Sequence, residues 1–178
     1  PASVEEMAYP LPEKPSIAVL PFDNLSGDTG QDYLADGVTE NIITALSKIP
    51  EMFIIARNSV YTYKGKPIKV QKVAEDLGIR YVLEGSIQKE DDRIRITAQL
   101  IDATTGHHLW AEKYDRKLTD LFDVQDELAN SIVSIVAGRI ERESLVAAKK
   151  KKPADMYAYD CLLRGLEYHR LGGVTQED

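Results

Sequence analysis

"RYVLEGSIQKEDDRIRITAQLIDATTG", Arg80–Gly106, decides the fold. Ile94, Ile96, Ala98 and Leu100 alternate with Arg93, Arg95, Thr97 and Gln99, so this run is a strand with one dry and one wet face. The charged stretch Lys89–Asp92 predicts a hairpin turn joining it to the apolar run that opens at Tyr81. "ATTG" predicts the next turn, and "HHLWAEKY" (107–114) a third strand. The three form an antiparallel meander.

Upstream the pattern is different. Ser16–Leu20 is a short apolar run closed by Pro21, which fits a strand buried on both faces. Leu34, Val38, Ile42, Leu46 and Ile49 then recur at helical spacing over Gln31–Ile49, and Pro50 ends that helix. "MFIIA" (52–56) predicts a second buried strand. "NSVYTYKGKP" (58–67) predicts a turn-rich connection. Val70, Val73, Ala74 and Leu77 predict a short helix stopped by Gly78.

Downstream, Val124, Leu128, Ile132, Ile135 and Ile140 predict a long amphipathic helix, with Asp120 and Asp123 suited to its N-terminal dipole. After the "KKKKP" break, Met156, Tyr159, Leu162, Leu163 and Leu166 outline one more helix, whose apolar stripe cannot be buried by that helix alone. Tyr159, Leu162, Leu163 and Leu166 are therefore the candidate interaction surface, covered either by the chain's own domain or by a second copy in a homodimer.

The expected fold class is α/β (α+β): a two-layer mixed sheet of about five strands, βαβα then a ββ meander, with helices mainly on one face. The expected organisation is a proline-rich linker over 1–15, an α/β domain over 16–148, and a linker with the first helix of a truncated repeat over 149–178. The start at Pro1 and the end at "GGVTQED" read as a piece of a longer protein.

Composition narrows the function. With 178 residues, 43% hydrophobic and 29% charged, the chain should fold. A formal net charge of -7 argues against a nucleic-acid binder. One cysteine, Cys161, excludes an internal disulfide, and its mid-helix position on the apolar stripe suggests packing. No stretch approaches the length of a membrane span.

The strand–loop–helix at Ser16–Ile43 invites a nucleotide reading, but its loop, "FDNLSGDTGQD", lacks both the P-loop spacing and its lysine. Gly27 and Gly30 do not form a dinucleotide fingerprint, and Asp23, Asp28 and Asp32 would repel phosphate. The loop should therefore turn a corner and cap a helix. "YKGKP" has Pro67 where a hydroxyl residue is needed. His107 and His108 are neighbours on a strand and point to opposite faces, so they cannot share a metal. Asp91/Asp92 and Asp126/Glu127 fall on a hairpin tip and an exposed helix face, without the burial that tunes an acid–base pair. Lys149–Lys152 reads as a solvated helix end. Trp110, Tyr81 and Tyr114 read as packing residues, with a small-molecule pocket as the alternative. No catalytic, metal or cofactor site is expected.

As a set, "PSIAVLPFDNLSGD", "DYLADGVTENIITALSKIP", "YVLEGSIQKEDDRIRITAQLIDATTGHHLWAEKYDR" and "DLFDVQDELANSIV" resemble the TolB amino-terminal-like domain, over about Pro15–Ile140. "AYDCLLRGLEYHR" is similar to the first helix of the tetratricopeptide repeats that follow it in bacterial signalling proteins. The resemblance implies a class III adenylate or guanylate cyclase domain upstream, or less often a winged-helix domain with a membrane span. It supplies no catalytic residue. The implied role is a cytoplasmic, non-catalytic regulatory segment with protein partners, including the parent's own output domain. The alternatives are a periplasmic sensor segment of a transcriptional regulator and a small-ligand-binding domain.

Overall fold

The computed structural model describes residues 1–172, without the side chains of Pro153, Leu171 and Gly172. The chain divides into two compact units, Pro1–Val136 and Ala137–Asp178.

The first unit is built on one mixed sheet. Its strands are β1 (Ser16–Val19), β2 (Asp23–Asn24), β3 (Phe53–Ile54), β4 (Tyr81–Glu90), β5 (Arg93–Asp102) and β6 (His107–Lys117). Its order is β3-β1-β4-β5-β6, with β2 also pairing β4. β1 runs parallel to β3 and to β4, while β4–β5 and β5–β6 are antiparallel. The expected architecture holds, with six strands in place of about five and helices on one side.

The parallel half is held by helix α1 (Asp32–Leu46), α2 (Arg57–Tyr61) and α3 (Val70–Leu77). β1 is buried throughout, as its unbroken apolar run requires. α1 buries Leu34, Val38, Ile42 and Leu46, the stripe read from spacing. Gly78 closes α3 in the left-handed conformation at φ 63°, where glycine carries no Cβ penalty.

Three expectations change here. "MFIIA" is not a buried strand: only Phe53–Ile54 pair, at the sheet edge, and Phe53 is 48% exposed. The turn-rich connection contains α2, which docks on α1 by polar contacts. The Tyr61 hydroxyl donates to Asp36 Oδ1 at 3.3 Å, Arg57 Nε lies 3.8 Å from Glu40 Oε2, and just past α2 Lys64 Nζ reaches both Asp36 carboxylate oxygens at 2.6 and 2.8 Å. Finally, the 1–15 segment is partly laid onto the domain. The Ala2 amide donates to Ala103 O at 2.6 Å, the Ser3 amide to Glu75 Oε1 at 3.0 Å, and the Ala8 amide to Glu75 O at 2.8 Å. Backbone donors in a proline-rich stretch are invisible to side-chain patterning.

The meander is longer than its turns suggested. β4 and β5 pair from Tyr81↔Asp102 to Glu90↔Arg93, so the turn is Asp91–Asp92 alone, with Asp91 in the left-handed region at φ 51°. β5 keeps the alternation: Ile94, Ile96, Ala98 and Leu100 are buried, and Arg93, Arg95 and Thr97 exposed.

Helix α4 (Leu121–Lys150) opens with Asp120, whose Oδ1 accepts the amides of Phe122 and Asp123 at 2.9 and 3.2 Å. Its buried stripe passes through Val136, with Ile135 only half-buried. Within the first unit it meets α1, where Gln125 Nε2 donates to Leu34 O at 3.4 Å. A Cβ on Gly37 would fall 2.3 Å from the same nitrogen, so the missing side chain lets the glutamine pass.

In the second unit the end of α4 faces α5 (Ala158–Gly172) in an antiparallel pair. Lys151 Nζ reaches Asp160 at 2.7 Å, Lys149 Nζ reaches Glu167 at 2.5 Å, and Arg170 reaches Glu141 at 3.3 Å. The basic run is therefore not merely a solvated helix end: two of its lysines clasp α5.

Candidate functional site

The opening loop spends its polar groups on itself. Asn24 Nδ2 donates to Asp28 O at 2.8 Å and to Asp32 Oδ1 at 2.7 Å. The Ser26 amide donates to Asn24 Oδ1 at 2.9 Å, and the Gly30 amide to Asp28 Oδ1 at 2.8 Å. Two amides that a phosphate would use are thus bonded to side chains of the same loop. The corner is also locked to the sheet. The Phe22 amide donates to Thr39 Oγ1 at 3.1 Å, and that hydroxyl in turn donates to Ala35 O at 2.7 Å. Four steps from Val19 to Asp23 lie opposite three from Leu83 to Ser86, so the Pro21–Phe22 break is a one-residue bulge.

Beside this bulge lies a cleft of about 440 Å³. One wall is the β1–β2 stretch, with Leu20, Pro21 and Asp23; the other is Tyr63–Ile68, the connection from α2 to α3. Its floor is the wet face of β4 and β5, with Glu84, Ser86, Thr97 and Gln99. Glu84 and Gln99 stand opposite each other, and Gln99 Nε2 donates to Glu84 Oε1 at 2.5 Å. Lys66 bends back, its Nζ donating to Thr62 O at 2.6 Å. Tyr63 points its hydroxyl toward Asp76, and burial, then that carboxylate, push its phenol above the usual range. Sequence reading weighed Asp23 and the "YKGKP" stretch separately and did not join them to Glu84, Ser86, Thr97 and Gln99, because the cleft residues come from four separated segments.

The other candidates are dispersed. Asp126 accepts from Asn41 at 2.8 Å and Glu127 from Arg116 at 2.9 Å, so both tie structural elements together. Tyr81, Trp110 and Tyr114 are buried, and the last two donate to the Glu112 carboxylate at 3.3 and 3.2 Å. Burial first, then the charge of Glu112, push the Tyr114 phenol up to about 12. His107 and His108 are exposed neighbours on β6. Among the described residues, no group of three or more His, Cys, Asp or Glu is arranged to hold a metal ion, and no helix is long and apolar enough to cross a membrane.

On α5 the expected interaction residues separate. Leu163 is buried, Tyr159 half-buried, and Leu162 and Leu166 are 48% and 40% exposed. Cys161 is exposed, contrary to the packing role expected for it, because the face that Asp160 and Leu163 bury does not include it.

A mixed sheet with a corner that bonds to itself and an open polar cleft defines an α/β module. The chain belongs to the family described as the HilA/YgeH-like transcriptional regulator, second domain, whose model matches residues 13–131. It is also 54% identical over 154 residues, 86% of its length, to a protein of Rhizobium meliloti (strain 1021) named "Putative adenylate cyclase 3". It spans only 26% of that relative. Among solved structures, lipoprotein GNA1162 from Neisseria meningitidis matches 70% of this chain and 99% of its own, with TM-score 0.51 and 18% identity. TolB from Acinetobacter baumannii matches 74% of this chain and 30% of its own, with TM-score 0.49 and 20% identity. At such identities the likeness to GNA1162 concerns the fold alone.

Proposed function

We propose that this chain is a non-catalytic regulatory and protein-interaction segment of a larger bacterial signalling protein, an adenylate cyclase whose catalytic domain lies outside residues 1–178. The observation that carries the reading is the 54% identity to about a quarter of a much longer protein bearing the cyclase name. The self-bonded loop and the dispersed carboxylates agree with a segment that docks and transmits. In this reading α5 is the first helix of a tetratricopeptide-type array. Tyr159, Leu162, Leu163 and Leu166 offer an apolar surface to a protein partner, the output domain or a second copy, in the cytoplasm. Repeat arrays suit that role because they present extended binding surfaces.

The test is deletion of this segment from the full-length protein, followed by cyclic AMP output and oligomeric state. The isolated chain should form no cyclic nucleotide from ATP or GTP, and the deletion should change output or assembly. Unchanged output and assembly would reject the regulatory role.

A second reading, a sensor segment of a winged-helix transcriptional regulator, is favoured by the family's own description. The residues upstream of Pro1 in the full-length protein discriminate: cyclase metal-binding aspartates support the first reading, a winged helix and a membrane span the second.

A further inference from the structure

We propose that the cleft between β2 and the Tyr63–Ile68 loop binds a small organic cation, a primary ammonium carried on a short aliphatic body. The proposal is independent of whether the parent is a cyclase or a transcriptional regulator.

Topology gives the place. The chain leaves β1 through α1 to reach β3, then returns past β1 through α2 and α3 to β4. That return brings the Tyr63–Ile68 stretch opposite the β1–β2 corner, with β4 and β5 forming the floor between them. The cleft opens there, past Val19, and its volume of about 440 Å³ lies within the range of small-molecule sites.

Chemistry gives the class. Glu84 Oε1 is engaged by Gln99, but Glu84 Oε2 and both Asp23 oxygens accept no hydrogen bond from any described residue. Lys66, the one cationic side chain lining the cleft, directs its ammonium to Thr62 O instead of to either carboxylate. Both carboxylates thus line the same cleft with acceptor oxygens to spare, beside the hydroxyls of Ser86 and Thr97. A cation gains charge-assisted hydrogen bonds there, and an anion is repelled. Leu20, Pro21 and Ile68 line the same cleft and give an aliphatic body an apolar wall.

The experiment is calorimetric titration of the chain with putrescine and agmatine, with butyrate and glutarate as anionic controls of similar length. Saturable binding of an amine, absent for both acids, is expected. Glu84→Gln keeps an acceptor for Gln99 and should weaken that binding at least about tenfold. Asp115→Asn, a carboxylate outside the cleft, should leave it unchanged. Circular dichroism checks that each variant is folded; if Glu84→Gln unfolds, Asp23→Asn replaces it with the same expectation. No amine binding, equal binding of the acids, or binding indifferent to the cleft carboxylate would overturn the proposal.

Discussion

The ring of Phe22 occupies the space that a side chain on Gly85 would need. A Cβ built on Gly85 falls 2.5 Å from Phe22 Cε2 and 2.3 Å from Thr97 O. Phe22 is buried and follows the bulge that turns β1 into β2. One absent methyl group in β4 thus lets the opening corner close over the sheet.

Gly85→Ala should therefore destabilise the first unit by about 1–3 kcal/mol, the usual range for overpacking a tight site. Denaturant unfolding followed by circular dichroism measures this. A loss below about 0.5 kcal/mol would show that Phe22 and the β5 backbone yield easily.

Asp102 has a side chain only 3% exposed and serves two elements at once. Its Oδ2 accepts from Arg80 Nε and Nη2 at 3.0 and 2.8 Å, and its Oδ1 accepts from the Thr104 amide and hydroxyl at 3.0 and 2.6 Å. Asp102→Ala leaves the guanidinium and the turn amide without this carboxylate and should cost about 3 kcal/mol. Thermal unfolding of the variant beside Asp115→Asn, a substitution in an exposed pair, separates the effect from surface electrostatics.

Tyr114 sets an alkaline limit. Its folded pKa is about 12, above the ordinary 10.0, so the folded state holds the proton more tightly than the unfolded chain. That stability is fully present below pH 10.0 and is lost as pH rises through about 12. Tyr61 and Tyr63, also raised, act in the same direction. Unfolding midpoints should fall across this window, and less steeply in Tyr114→Phe. Tyrosinate absorbance titrating at the free-phenol value in the folded protein would contradict the assignment.

Leu163 is the buried leucine among the four interaction residues of α5. Leu163→Ala should cost about 2–5 kcal/mol within the second unit. Amide exchange should accelerate through 158–168, while β4 and β5 keep their protection. Exchange that accelerates equally in both units would show that the two unfold as one.

Most element types were legible because they rest on local periodicity. The two-residue alternation from Arg93 to Leu100 and the four-residue steps from Leu34 to Leu46 dictate strand and helix by geometry alone. Glycine at 78 ended its helix for a backbone reason that acts at a single residue, whereas the helix expected to run on to Pro50 stops at Leu46, ahead of the proline. β3 was misjudged as buried because an apolar run does not say whether a second strand lies beyond it; here Phe53 stands at the edge. Cys161 was misjudged for a related reason, since helical spacing gives a stripe but not which part of its rim another helix covers.

Sequence alone determined that this chain is a mixed α/β module whose opening loop turns a corner, because those properties follow from backbone periodicity, turn chemistry and charge within short windows. Tertiary structure decided that Gly85 must be bare, that Asp102 holds Arg80, and that Glu84 and Asp23 share a cleft. Each of those pairs residues at least 22 positions apart. Their meeting depends on strand order and register, which no short stretch of sequence encodes.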